Sequence, residues 1–278
     1  MANNLSITIT FGDQAENHVG MQQIGELADC GFTKDDLTIA KNNFEGIGCN
    51  CELFDLRDCV TNEEIKEQLD EAYILIIHGA VDNILKDIDM TVNDLLNEQK
   101  TLDVDKKAKM YGRVVNKHAR YNVCFSEESQ EPDYENGKGR IVSFDSVPLT
   151  NYIRNKLPEL IGEKALNLQG EGNYYYDKNK CGIGYHGDTE RRKVVAIRLG
   201  GLNPLSYLWF YKNKYIDKNG VGSGCAGKTF FDLENGSMYI MSEKAVGTDW
   251  KKKNIYTLRH AAGCGKYISL PVGYTINY

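Results

Sequence analysis

Gly182-Ile-Gly-Tyr-His186-Gly-Asp188-Thr-Glu190 carries an imidazole and a carboxylate two residues apart. On an extended chain, residues i and i+2 point to the same face, so both side chains can reach one ion. A second histidine stands in Arg259-His260-Ala-Ala-Gly, 74 positions later (260 − 186), and completes a set of two imidazoles and one carboxylate. Such a set leaves open positions on the metal and is the usual arrangement of mononuclear non-haem Fe(II) sites. The spacing alone also suits three unrelated polar residues in a β domain, so the flanking sequence decides.

The flanks favour a metal. A Gly- and Tyr-rich approach, Gly172-Asn-Tyr-Tyr-Tyr-Asp177, precedes the pair, and an apolar run, Val194-Val-Ala-Ile197, follows it and ends at Leu199-Gly200-Gly201. Gly236-Ser-Met-Tyr-Ile-Met241 reads as a further strand leading toward His260. In this order the segments resemble the AlkB-like branch of the Fe(II)/2-oxoglutarate-dependent dioxygenases. That family's pattern is Asn-x-Tyr, His-x-Asp-x-Glu, a strand ending in Leu-Gly, a Gly-(Asp/Ser)-hydrophobic-Met strand and a distal His. The chain supplies Tyr176, His186-x-Asp188-x-Glu190, Leu199-Gly200, Gly236-Ser237 through Met241, and His260, so the resemblance covers residues 140–278.

The resemblance implies an α+β protein with a double-stranded β-helix (jelly-roll) core. His186, Asp188 and His260 would hold Fe(II), and 2-oxoglutarate and O2 would be cosubstrates. The implied reaction is hydroxylation or oxidative demethylation at a C–H bond of a modified nucleobase, in nucleic acid or a nucleotide. Aligning Tyr176 with the family tyrosine puts Tyr174 where Asn is expected, with Asn173 one place off. The family also carries arginines after the distal His, one of which pairs with the far carboxylate of 2-oxoglutarate. This chain has none there, and a bidentate carboxylate clamp is what Arg does best. Lys266 is the cation that follows His260, an even offset that suits an inward-facing position on a hairpin. Arg198, on the strand after the His-x-Asp, is the alternative anchor, since some relatives have a basic residue on that strand.

At 278 residues, with 41% hydrophobic and 26% charged positions, the chain is long enough for a sizeable core and ordinary for a soluble globular protein. Tyr73-Ile-Leu-Ile-Ile77 is a buried-strand candidate and far too short to span a bilayer. Eight cysteines behind an N-terminus lacking a basic and then apolar signal point to reduced thiols in an intracellular compartment, cytoplasmic or nuclear. A net charge of −6 argues against tight duplex binding, because phosphate neutralisation supplies much of a nucleic-acid binder's affinity.

The first 70 residues read as a small α/β layer, either an independent module or an extension packed on the catalytic core: a strand at 5–11, helices at 19–29 and 34–44, a strand at 51–56, and a helix at 62–71 capped by Thr61 with Glu64 in the capping box. Residues 71–278 then form the oxygenase domain that the resemblance implies, with a recognition region at 100–140 ahead of the core at 140–278. Within that region Lys106, Lys107, Lys109, Arg113, Lys117, His118 and Arg120 interleave with Tyr111 and Tyr121, a composition that suits single-stranded nucleic acid and equally a solvated charged helix. Gly-rich turns such as 135–139 and 234–236, separating short Tyr/Ile/Val runs, are the rhythm of antiparallel sheets.

Other constellations carry less. Gly222-Ser-Gly-Cys-Ala-Gly227-Lys228-Thr229 matches a phosphate-binding loop by letter, but two aromatics and a turn follow where that chemistry needs a helix. Cys49, Cys51 and Cys59 match no common zinc spacing. His78 and His118 read as structural or surface histidines. The polar stretch 12–21 suits either a ligand loop or a helix cap, and Trp250 a pocket wall or a surface loop. Protein or small-metabolite hydroxylation, or a metal-free β-sandwich binding module, are the alternatives to nucleobase chemistry.

Overall fold

The computed structural model describes residues 4–216 and 230–269. In chain order the elements are β1 (Ser6–Gly12), β2 (Gln14–Glu16), β3 (Gln23–Gly25), α1 (Lys34–Gly46), β4 (Asn50–Asp55), α2 (Glu63–Lys66), β5 (Tyr73–His78), α3 (Ala80–Leu85) and α4 (Val92–Lys100). Next come β6 (Lys107–Met110), β7 (Arg113–Asn116), β8 (Tyr121–Ser126), β9 (Ile141–Ser143), α5 (Pro148–Ile161), β10 (Gln169–Tyr175), β11 (Gly182–His186) and β12 (Val194–Gly200). The last are β13 (Leu205–Tyr211), β14 (Lys214–Tyr215), β15 (Phe230–Phe231), β16 (Met238–Met241), α6 (Glu243–Val246), β17 (Thr257–Gly263) and α7 (Gly265–Ile268). The Gly-rich stretch 222–229 lies outside the described residues.

The result is a mixed α+β fold. An eight-stranded sheet runs β4-β5-β16-β12-β1-β10-β8-β9, and a smaller sheet runs β11-β17-β13-β14 with β15 also on β13. Period-2 alternation sorts each large-sheet strand between two environments. Ile7, Ile9 and Phe11 of β1 and Val195, Ile197 and Leu199 of β12 meet α1, α3, α4 and α5 in one apolar core. On the opposite face Ile74 and Ile76 of β5, Val194 and Ala196 of β12, and Tyr239 and Met241 of β16 meet Tyr207, Trp209 and Leu258 of the small sheet in a second core.

Three sequence expectations change. Residues 1–70 do not stand apart as a layer: β1 lies between β10 and β12, and β4 pairs with β5 at the edge of the same sheet. A strand with one apolar face cannot bury it alone, and the partners that cover β1 come from far along the chain. The 19–29 helix is absent. Gly20 and Gly25 take positive φ (85° and 87°), Val19 is exposed, and Asp13 ties the segment down by accepting from the Ala28, Arg192 and Lys193 amides. At 62–71 the helix shrinks to α2, and its cap is Asn62, which accepts from the Ile65 amide at 3.1 Å, rather than Thr61. By contrast α1 starts on a full capping box of Thr33 and Asp36 and buries Leu37, Ala40 and Phe44 at helical spacing.

Ile9 tests whether β1 belongs to the main fold. It is fully buried, opposite Gly172 and Ile197. Ile9→Ala is expected to cost about 2–5 kcal/mol, read as a lower midpoint of one urea transition. A separate early transition that alone absorbs the loss would instead mean an independent N-terminal module.

Candidate metal centre

Strands β11 and β17 are antiparallel neighbours, and their register sets His186 opposite His260 after an irregularity between Ile183 and His186. Local bulges of this kind re-aim side chains beside active sites. The two imidazole centroids are 4.5 Å apart. Asp188 Oδ1 stands 3.4 Å from His186 Nε2 and 3.6 Å from His260 Nε2. Among the described residues, this is the group of three ligand atoms placed to hold a metal ion, all within 4.8 Å of one another.

His186 Nδ1 donates to the carbonyl oxygens of Gly184 (2.8 Å) and His260 (3.1 Å). Both partners are acceptors, so the proton sits on Nδ1 and the Nε2 lone pair faces the carboxylate. Burial, and then the neighbouring His186, lowers the His260 pKa and keeps it neutral, the form that binds metal. Burial works to raise the Asp188 carboxyl, but the His186 and His260 imidazoles beside it, with the charge of Arg191, hold it well below the usual range. Gly187 between the ligands is a steric necessity: a Cβ there would collide with the Gly247 carbonyl oxygen and lie 2.9 Å from Trp250 Cβ. The Asp188 amide donates to Val246 O at 3.0 Å, which fastens the same loop to α6.

The triad opens on a cavity of about 430 Å³ between the two sheets. Its large-sheet wall is polar where the rest of that face is apolar: Thr8 and Thr10 of β1, Glu171, Asn173 and Tyr175 of β10, and Arg198 of β12 all line it. Arg191 is buried with Glu171, Glu190 and Asp188 around it. A divalent cation at the triad would add positive charge beside Asp188, whose Oδ1 faces the two imidazoles. Burial, and then Glu190, pushes the Glu16 carboxyl up to about 7 at the mouth.

Arg198 is the most telling wall residue. It is fully buried and its Nη1 donates to Thr8 Oγ1, yet Nε and Nη2 have no hydrogen-bond partner among the described residues. Unpaired buried donors are costly, and a fork of free N–H groups matches a carboxylate.

The other expected cosubstrate contacts lie elsewhere. Lys266 is exposed on α7, over the Tyr267 ring, and does not line the cavity. Tyr174 points to the opposite face of β10 and donates to Gln99 Oε1 at 2.8 Å. Tyr176 stacks on Tyr121 and donates to His118 O, outside the cavity. Strand parity explains both: the inward residues of β10 are 171, 173 and 175, so the Asn-x-Tyr spacing falls on Asn173 and Tyr175. Of the basic stretch, Lys107, Lys109 and Arg113 sit on the β6–β7 hairpin, with exposed Tyr111 at its tip rather than on a helix. Lys117 is buried on Asn17 and Asn122, and Arg120 reaches the cavity, donating to Asn173 Oδ1 at 2.6 Å. His18 and Trp250 line the mouth, while His78 pairs with Glu52 at 3.1 Å. Cys49 and Cys51 are buried, and burial pushes their thiols up to about 11 and about 12.

Fold and site together define a mixed α+β protein with the 2-His-1-Asp metal-binding triad typical of Fe(II)/2-oxoglutarate-dependent oxygenases. No family model matches the chain. It is 48% identical over 263 residues to "Uncharacterized protein R156" of Acanthamoeba polyphaga mimivirus, across 95% of this chain and 97% of the relative, and it belongs to that protein's family. Among the described residues no helix is long and apolar enough to cross a membrane.

Proposed function

We propose that the protein is an Fe(II)- and 2-oxoglutarate-dependent oxygenase of AlkB-like type that hydroxylates or demethylates a modified nucleobase in nucleic acid or a nucleotide. The observation that carries this reading is Arg198, which lines the same cavity as His186, Asp188 and His260 and whose buried Nε and Nη2 have no hydrogen-bond partner among the described residues. A cosubstrate that chelates the metal at one end and carries a carboxylate at the other suits both features at once.

The winding of the strands supports a jelly roll. From β10 onward the chain alternates between sheets, with β10, β12 and β16 in the large one and β11, β13 and β17 in the small one. In the small sheet β17 lies between β11 and β13. The corresponding place in the large sheet, between β10 and β12, is taken by β1. An anchor expected on a strand after His260 is therefore supplied by Arg198 with Thr8, which sit side by side in the β1–β12 register.

When bound, Fe(II) with 2-oxoglutarate and O2 supplies the oxidising power, and the cosubstrate leaves as succinate and CO2. The chain's own residues orient and enclose. His186 is held in its ligand tautomer by two carbonyl groups, Arg198 and Thr8 receive the far carboxylate, and apolar Ile183, Val194, Leu205 and Met241 exclude water. Glu16 and Glu190 offer acceptors to N–H groups of a base, with Trp250 as an apolar wall. The β6–β7 hairpin, with Lys107, Lys109, Arg113 and exposed Tyr111, makes residues 100–140 the recognition region for a single strand.

The test is succinate formation by anaerobically Fe(II)-loaded protein given 2-oxoglutarate and O2, beside His186→Ala. Slow succinate release that disappears in the variant is the expected result. No succinate and no bound iron in the unaltered protein would leave the triad coincidental and favour a binding module.

A further inference from the structure

One side chain links the metal centre to strand β10. Arg191 follows Asp188 by three residues and is 3% exposed. Its Nη2 donates to Glu171 Oε2 and, at 2.9 Å, to Glu190 Oε1; Nε donates to Glu190 Oε1 at 3.2 Å and lies 3.5 Å from Asp188 Oδ2 as an ion pair. Asp188 thus turns its two oxygens to different partners, Oδ1 to the imidazoles and Oδ2 to the guanidinium. Glu171 in turn accepts from Asn173 Nδ2 (3.0 Å) and Asn122 Nδ2 (3.3 Å). Arg191 is therefore moored to β10 and β8, outside the loop that carries Asp188.

The geometry points to Arg191 as a positioning residue that fixes the rotation of the Asp188 carboxylate, with Glu171 as its mooring. This inference rests on the metal-centre reading above. A guanidinium directs its N–H groups along fixed lines and can hold several carboxylates in one plane, which an ammonium cannot do. Held this way, Asp188 presents Oδ1 alone to the space between His186 and His260, and the rest of that space stays free for exogenous ligands.

Charge and position make opposite demands. If Arg191 acted through charge only, its removal would tighten divalent binding, because the three carboxylates would keep their attraction for a cation. A positioning role requires binding to weaken, and losing an outer partner of a metal ligand typically costs about 10–100-fold in metal affinity.

The experiment is titration of metal-free full-length protein with Co(II), followed by its d–d absorption, for the unaltered protein, Arg191→Lys, Arg191→Gln and Glu171→Gln. Weakening of about 10–100-fold is expected in both Arg191 variants, without rescue by Lys, and with altered d–d bands in all three. Affinity equal to or above that of the unaltered protein in the Arg191 variants, with an unchanged spectrum, overturns the inference. Should the Arg191 variants fail to fold by circular dichroism, Glu171→Gln decides. It keeps the Arg191 charge and frees its position, so an unchanged spectrum there overturns the mooring, while altered bands support it. Absence of Co(II) uptake by the unaltered protein overturns the metal centre itself, and this inference with it, so the two failures are distinguishable.

Discussion

Arg198→Met is expected to weaken 2-oxoglutarate binding severely while leaving the fold as stable as before, or more so. Truncating one partner of a buried, hydrogen-bonded charge pair costs about 2–5 kcal/mol, which is roughly 30- to 4,000-fold in Kd. The same guanidinium has two buried nitrogens without hydrogen-bond partners among the described residues, and its side chain is fully buried. Replacing such a group with an apolar side chain of similar volume removes unsatisfied buried donors that cost about 1–3 kcal/mol each, offset here by the loss of the Thr8 contact. Function and stability therefore move in opposite directions, as at a site built for a ligand. Calorimetric titration of the Mn(II)-loaded protein with 2-oxoglutarate, beside a urea midpoint, reads both. Unchanged 2-oxoglutarate affinity in Arg198→Met would refute Arg198 as the anchor.

Asp188→Ala is expected to abolish tight divalent binding. The carboxylate is the one anionic member of the triad, held between His186, His260 and Arg191. Its loss leaves two imidazoles against a cluster whose remaining charge is turned toward Arg191. In the unaltered protein, a metal present at 100 times its Kd adds about 2.7 kcal/mol to stability, a rise of roughly 5–11 °C in Tm for a chain of this size class. That rise should vanish in Asp188→Ala, together with metal content after gel filtration. Retention of stoichiometric metal by the variant would mean that the ion sits elsewhere.

The His186–Asp188 pair was legible because its information is local. A two-residue spacing dictates a shared face, and Gly187 marks the close approach to Gly247. The alternating wall was legible in principle as well: Thr8 and Thr10 break an apolar period in β1, as Glu171 and Asn173 do in β10, where buried polar groups signal a cavity. The position of β1 was not legible. Nothing within residues 6–12 specifies pairing with 169–175 on one side and 195–200 on the other. The family resemblance puts the anchor after His260, where the chain offers Lys266, and only the β1–β12 register shows that Arg198 sits beside Thr8. The phase of β10 is hidden for a related reason. Three consecutive tyrosines, Tyr174 to Tyr176, give no internal phase, and only the register with β1 and β8 shows that 173 and 175 turn inward.

The place of β1 bears on how the chain reaches this state. Its neighbours β10 and β12 begin 157 and 182 residues after Gly12 (169 − 12 and 194 − 12). At a synthesis rate of about 5–20 residues per second, the strand emerges roughly 10–30 s before either partner exists, with both hydrogen-bonding edges bare. An unpaired, half-apolar strand is a template for wrong pairing. The metal cavity is thus closed by the earliest strand meeting late ones, and its assembly is the slow, non-local event of folding. A nascent chain stalled before residue 200 would carry that hazard without the cavity, so chaperone dependence should be greatest for such truncated chains.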